Sequence, residues 1–262
     1  MSRAVLSVLY GALEMEHTGG MATSAPRTAK GVRERVRAEM TDEIKAAARR
    51  QLAQHGADAL SLRAVAREVG LVSSAVYRYF PSRDDLLTAL IIDAYDALGA
   101  AAEATETAGT AGPVKRRTVT ERWTDLAAAI RIWSHRHRHE HALIYGSPVP
   151  GYEAPTDTVV PAARVSLVFL RLVADGVASG EIDPTPAGRI PRAVRADLAA
   201  LRTGTGLDIP DAVLLRALAV WSQLLGMISL ELFGHLHGVI NEADAYFEVQ
   251  IAIAGQHLRH GP

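Results

Sequence analysis

Between Ser61 and Phe80 the apolar and polar positions alternate in two short helical runs. Leu62, Val65, Ala66 and Val69 stand at i, i+3, i+4 and i+7, one stripe on a helix of about two turns. Ser61 precedes the stripe, where a side-chain oxygen can accept from orphan backbone N–H groups. Gly70 follows it, where a left-handed residue would close the helix. Val72, Ala75, Val76 and Phe80 form a second stripe, whose other face carries Ser73, Ser74, Tyr77, Arg78 and Tyr79. Two helices too short to stand alone, meeting at a glycine turn, predict a helix-turn-helix. The second helix of that motif enters the DNA major groove with its N-terminal residues on base edges. Hydroxyls and an arginine can bond phosphates or bases, and small Ser and Ala residues allow close approach. The same polar face would also suit the solvated side of an ordinary helix pair.

Helical spacing continues on both sides of this stretch. Val36, Met40, Ile44, Ala47, Ala48 and Leu52 predict a first helix, ended by Gly56, that packs behind the pair to complete a three-helix unit. Pro81-Ser82-Arg83-Asp84-Asp85 opens a fourth, with Ser82 as cap and Asp85 as its capping-box partner. Its apolar face is Leu86, Leu87, Leu90, Ile91, Ala94 and Leu98, and its length makes it the link to the rest of the chain. Residues 105–118 are a Gly-, Thr- and Pro-bearing break. Trp123, Leu126, Ala127, Ile130 and Trp133 then mark another helix, and a loop covers 146–152. Further helices are expected over about 157–178, 191–201, 210–237 and 242–260. No strand signal persists, so the expected fold class is all-α with two domains.

The helix around Trp221 is apolar nearly all round, with Leu214, Leu215, Leu218, Val220, Leu224, Leu225, Met227, Ile228, Leu230 and Leu232. Such a helix must be covered on more than one side, and a second subunit would supply the second cover. Gly226 and Gly234 would allow close approach. Arg216, Gln223, Glu231 and His235 interrupt the run, so no transmembrane helix is expected.

Composition changes the picture in two places. The apolar share of 48 % is ordinary for a globular protein. The formal net charge of −1, however, hides an asymmetry: residues 27–83 hold twelve Lys or Arg against six Asp or Glu, leaving −7 for the remainder. A basic segment beside an acidic remainder suggests a nucleic-acid module joined to something else. The absence of cysteine excludes disulfides, thiol nucleophiles and zinc fingers and fits a reducing compartment, the cytoplasm. Residues 4–13 are apolar after one Arg but lack a convincing cleavage site. Residues 1–33 therefore read as a disordered N-terminal extension, with Met21 a plausible natural start and residues 21–33 a basic arm.

The stretch SLRAVAREVGLVSSAVYRYFPSRDDLLTALI resembles the DNA-binding domain of the TetR family of bacterial one-component regulators. Ser61, Leu62, Val65, Ala66 and Gly70 match its opening, Val76, Tyr77, Tyr79 and Phe80 its recognition helix, and Arg83, Leu86 and Leu87 the helix after it. Val72 stands where members often carry Ser or Thr, so Ser73 is expected to take over the cap. The resemblance implies a helix-turn-helix DNA-binding domain over 34–81 and a helical ligand-binding and dimerisation domain over 82–262. It implies a repressor that binds a palindromic DNA operator as a homodimer and answers to a small effector. Carried over residue by residue, Arg63, Ser73, Ser74 and Ala75 would face base edges, while Tyr77, Arg78, Tyr79 and Arg83 would hold phosphates. HALIYGSPVPGY and WSQLLGMISLELFG also resemble the WHG-type C-terminal domain of some members.

Large side chains on the helices expected to wall an effector site are Trp123, Trp133, Tyr145, Phe169 and Trp221. They suit a small hydrophobic or aromatic effector, although each would equally serve as ordinary core. His135, His137, His139 and His141 invite a metal, but on a helix they form two separate pairs about 200° apart. Cationic groups favoured at a helix C-terminus are the simpler account, and no metal or cofactor is expected. No phosphate loop, nucleophile elbow or carboxylate pair occurs, so an enzyme is disfavoured. The rival reading is a constitutive DNA-binding protein without an effector, whose DNA affinity no metabolite changes.

Overall fold

The computed structural model describes residues 29–107, 117–186 and 188–260. Among these described residues the ordered elements are helical and no strand occurs. Residues 1–28 of the extension expected over 1–33, and residues 108–116 of the expected break, lie outside them. Helix α1 (Ala29–His55) begins before the boundary expected at residue 34 and is closed by Gly56 at φ 79°. Helices α2 (Leu62–Glu68) and α3 (Ser73–Val76) follow, and Gly70 takes the left-handed φ of 69° that the turn needs. Neither short helix has a side-chain cap. Ser61 has the extended backbone of an N-cap, but its hydroxyl makes no cap bond; Val72 occupies the cap of α3 and Ser73 lies already inside the helix.

What stabilises the two short helices is burial. Ile44, Ala47 and Leu52 of α1 enclose Leu62, Val65, Val76 and Phe80 together with Leu86, Leu87 and Leu90 of α4 (Arg83–Thr107). Each such side chain contributes roughly 1.5–3 kcal/mol when fully buried. Ser82 caps α4: its Oγ accepts from the Asp85 backbone N–H at 3.0 Å and donates to the Asp85 carboxylate at 2.7 Å. The second half of α4, with Ala94, Leu98 and Ala102, enters a different core. One unbroken helix of 25 residues is thus embedded in both cores.

The second core is built by α5 (Val119–Arg136), α6 (Arg138–Tyr145), α7 (Val159–Ala178), α8 (Arg192–Thr205), α9 (Asp211–Leu232) and α10 (Ala243–His260). Thr118 and Glu121 form a reciprocal capping box at the start of α5. Helix α7 presses against α4 at Gly99, where an added Cβ would stand 2.8 Å from the Cβ of Arg164. Arg164 then grips α4 on either side of that glycine, at Asp96 (2.6 Å) and Glu103 (2.7 Å).

Helix α9 buries Val213, Leu214, Ala217, Leu224 and Ile228 and exposes Leu215 and Leu230. By length and composition it is apolar enough to cross a membrane, contrary to the reading of its interruptions. Its Glu231, however, is held by protein, taking a bidentate contact from Arg131 of α5 (2.9 and 2.6 Å). Gly234 proves to be the left-handed residue that follows α9, at φ 79°, rather than a point of close helix approach; Gly226 does face open space.

Candidate functional site

The helix-turn-helix presents one polar face. Arg63 is exposed on α2, and Ser74, Tyr77 and Arg78 are exposed around α3, with Ser73 and Tyr79 half-buried. Two expected contacts sit otherwise. Ala75 is buried, because the helix of four residues turns that methyl inward beside Val76. Arg83 is turned back on the protein: its Nη2 donates to the Ala57 carbonyl at 3.0 Å and its Nη1 lies 3.3 Å from Asp84. It braces the turn after α1 against the start of α4.

One residue of this face carried no signal in its own neighbourhood. Arg37 of α1 donates to the Arg78 carbonyl at 3.2 Å and places its guanidinium 5.1 Å from the centre of the Tyr79 ring. A cation over an aromatic face is worth about 0.5–1 kcal/mol at an exposed site. Arg37 therefore fixes the C-terminal end of the recognition turn from a helix that is distant in sequence. Below it, Lys45 (3.0 Å) and Arg49 both pair with Asp93 of α4, and Thr88 shares a hydrogen bond of 2.9 Å with Tyr152. The polar surface is thereby tied to the long helix and, through Tyr152, to the second domain.

Two family models match this chain. One, for bacterial regulatory proteins of the tetR family, covers residues 44–90; the other, a tetracyclin repressor-like C-terminal domain, covers residues 123–254. The HTH-type transcriptional regulators Rv1816 of Mycobacterium tuberculosis and Mb1846 of Mycobacterium bovis are each 38 % identical over 237 residues, 87 % of this chain and 97 % of theirs. The chain belongs to the TetR family. Its N-terminal helix-turn-helix is a DNA-binding module, and its relatives are transcriptional regulators rather than enzymes. The crystal structure of SCO4313 superposes with a TM-score of 0.68 at 34 % identity, covering 88 % of this chain and 98 % of that one. A protein of unknown function from Rhodococcus sp. RHA1 follows at 0.59 and 25 %, covering 83 % and 92 %.

In the C-terminal domain of this TetR-family regulator the five aromatic candidates fall into separate groups. Phe169 stacks on Trp221 with centroids 5.3 Å apart and meets Trp123 at 5.4 Å with the rings tilted by 51°, and Trp123 Nε1 donates to the Ile251 carbonyl at 2.9 Å. Tyr145 packs edge-on to Tyr95, and Trp133 stacks on His137 with its own indole N–H buried and unpartnered. Burial raises the Tyr95 hydroxyl to about 12, and Tyr145 is raised further by the same cause. Cavities of about 480, 260 and 500 Å³ open elsewhere, and none of the five lines them. Trp123 and Phe169 are buried in the second core, with Trp221 packed against it.

The histidines separate as well. His135 lies 3.1 Å from Glu231 in the last turn of α5, and His137 breaks the chain between α5 and α6. His141 is fully buried between Ser134 (3.0 Å) and Ser229 (3.1 Å), so it is not a cation at a helix end. Ser134 donates to the Ile130 carbonyl, so it must accept from His141 Nδ1–H, and Nε2 accepts from Ser229. Burial, aided by His135, holds this imidazole neutral with a pKa of about 4. Among the described residues no three His, Asp or Glu converge as metal ligands.

Proposed function

We propose that this regulator is a homodimeric, ligand-responsive repressor of a palindromic operator, working in the bacterial cytoplasm. The observation that carries the reading is an uncovered apolar surface on the last two helices. Leu215, Leu230 and Phe233 are exposed on and just after α9, in line with Ala219, Ser222 and Gly226; Val249 and Ile253 are exposed on the neighbouring α10. Spacings of three and four residues put each set on one helix face. Such a surface invites a second copy, and two-fold pairing of identical faces is the commonest way to close an oligomer.

A dimer of this kind presents two recognition turns to one duplex. Arg63, Ser73 and Ser74 would read base edges in each half-site, and Tyr77, Arg78 and Tyr79 would hold phosphates. Arg83, braced on Ala57, would act by placing α4 rather than by reaching DNA. The unit over residues 34–81 reads operator, and the unit over 82–262 pairs the subunits and receives the effector. An effector that favours one spacing of the two turns over another would shift the population on or off DNA.

The test is operator selection from random DNA with the purified chain, followed by release assays against small molecules. A palindromic consensus bound by two chains supports the reading, as does release by a metabolite. A non-repetitive consensus bound by one chain would refute the dimer.

A further inference from the structure

The cavity of about 480 Å³ opens between the start of α9, the last turn of α10 and the Pro-rich loop that precedes α8. Its size lies within the roughly 300–1,000 Å³ of small-molecule sites. The walls are mostly hydrocarbon, with Ile190, Leu215 and Val220 among them. Arg216 interrupts this lining. Arg216 donates through Nη2 to the Asp183 carbonyl, while its Nε is buried and has no hydrogen-bond partner. A buried donor left without an acceptor destabilises the fold, and more so on a charged group.

The electrostatics point the same way. Burial holds the Arg216 guanidinium below its ordinary value, although the exposed Asp183 carboxylate works in the opposite direction. Arginine stays charged at neutral pH nevertheless, so the site carries a positive charge whose Nε has no acceptor in the protein. Arg189 and His257 add to the lining, and no carboxylate is found among the described residues that form it. An arginine whose Nε lacks an acceptor, set in a mostly apolar wall, matches one ligand chemistry.

We infer that this cavity binds an amphipathic monocarboxylate, its carboxylate on the Arg216 guanidinium and its hydrocarbon body along Ile190, Leu215 and Val220. The carboxylate supplies the acceptor that Nε lacks, and a planar anion suits the guanidinium fork. A nucleotide fits poorly, because its polar bulk would lie against hydrocarbon. Leu215 also belongs to the exposed apolar face of α9, so an occupant would sit at the rim of the subunit interface. That regulatory consequence rests on the ligand-responsive dimer proposed above; the binding itself does not.

Titration calorimetry on the full chain, with decanoate and 4-phenylbutyrate as probes and decan-1-ol as the uncharged control, decides it. At least one carboxylate should bind saturably at one per chain, and decan-1-ol should bind at least tenfold more weakly than decanoate. Arg216→Gln should weaken the carboxylate at least tenfold, which corresponds to about 1.4 kcal/mol. Ala212→Leu narrows the cavity while keeping the Arg216 guanidinium and should weaken it as well, which keeps the test valid should Arg216→Gln misfold. Failure of both carboxylates to bind, equal binding of the alcohol, or binding unchanged in a folded Arg216→Gln chain would overturn the assignment. Operator release is read separately: binding without release upholds the site and removes the ligand-responsive reading.

Discussion

Tyr77 is 44 % exposed beside a recognition helix whose neighbouring side chains Val76 and Phe80 are buried. Removing its ring should cost the fold less than about 0.5 kcal/mol, as at other surface positions, yet weaken operator binding. Melting temperature and DNA titration of Tyr77→Ala separate the two effects. Arg63→Ala should relax preference at one position of each half-site by about 1–3 kcal/mol, read by repeating the operator selection. His141 carries a pH dependence. Its folded pKa, about 4, lies below the ordinary 6.5, so the folded state binds fewer protons there. The stability of the neutral ring is present above pH 6.5 and lost as pH falls toward 4, on the order of 3 kcal/mol across that window. Denaturant unfolding of the protein against His141→Gln between pH 7 and 4 should show the slope in the former and its loss in the latter. Sequence could not separate this histidine from its neighbours: spacing gives the face of a helix, whereas Ser134 and Ser229 meet it only after α5, α6 and α9 assemble. Ala75 was ambiguous for a related reason, since a methyl suits either a buried stripe or a base-facing surface.

At the scale of elements, the apolar stripes of α1, α2, α4 and α5 were legible because a 3.6-residue period survives any tertiary arrangement. Ends were less so. Ser61 looks like a cap but makes no cap bond, because burial of Leu62 and Val65 holds that helix without one. The grip of Arg164 across Gly99 involves residues far apart in the chain and left no local trace. Gly99→Ala would drive a methyl into the Arg164 side chain, and forced contacts of this kind cost about 1–3 kcal/mol. Thermal unfolding of that variant should register the loss, with α4 displaced from α7. On α9 the two faces separate cleanly: Ile228 is fully buried and Leu230 is 46 % exposed. Leu230→Asp should abolish self-association in sedimentation while the chain stays helical by circular dichroism, and Ile228→Asp should unfold it.

For the whole molecule, the all-α class and the DNA-binding end were readable because the helix-turn-helix is a local motif with its chemistry within twenty residues of sequence. The residues that receive an effector were not. Large aromatic side chains fill cores as readily as they wall cavities, and Trp123, Phe169 and Trp221 pack on one another in the core. The charge asymmetry has its physical counterpart in a basic N-terminal unit coupled to the rest through Asp93, Thr88 and Tyr152. The central claim is that two chains read one operator through paired recognition turns. Hydroxyl-radical footprinting on the selected duplex, at a measured protein-to-DNA stoichiometry, tests it most directly. The account predicts two chains per duplex and two protected segments centred about one helical turn, or a multiple of it, apart, with both protections lost in Tyr77→Ala. A single protected segment from one bound chain, or protection unchanged by that substitution, would contradict it.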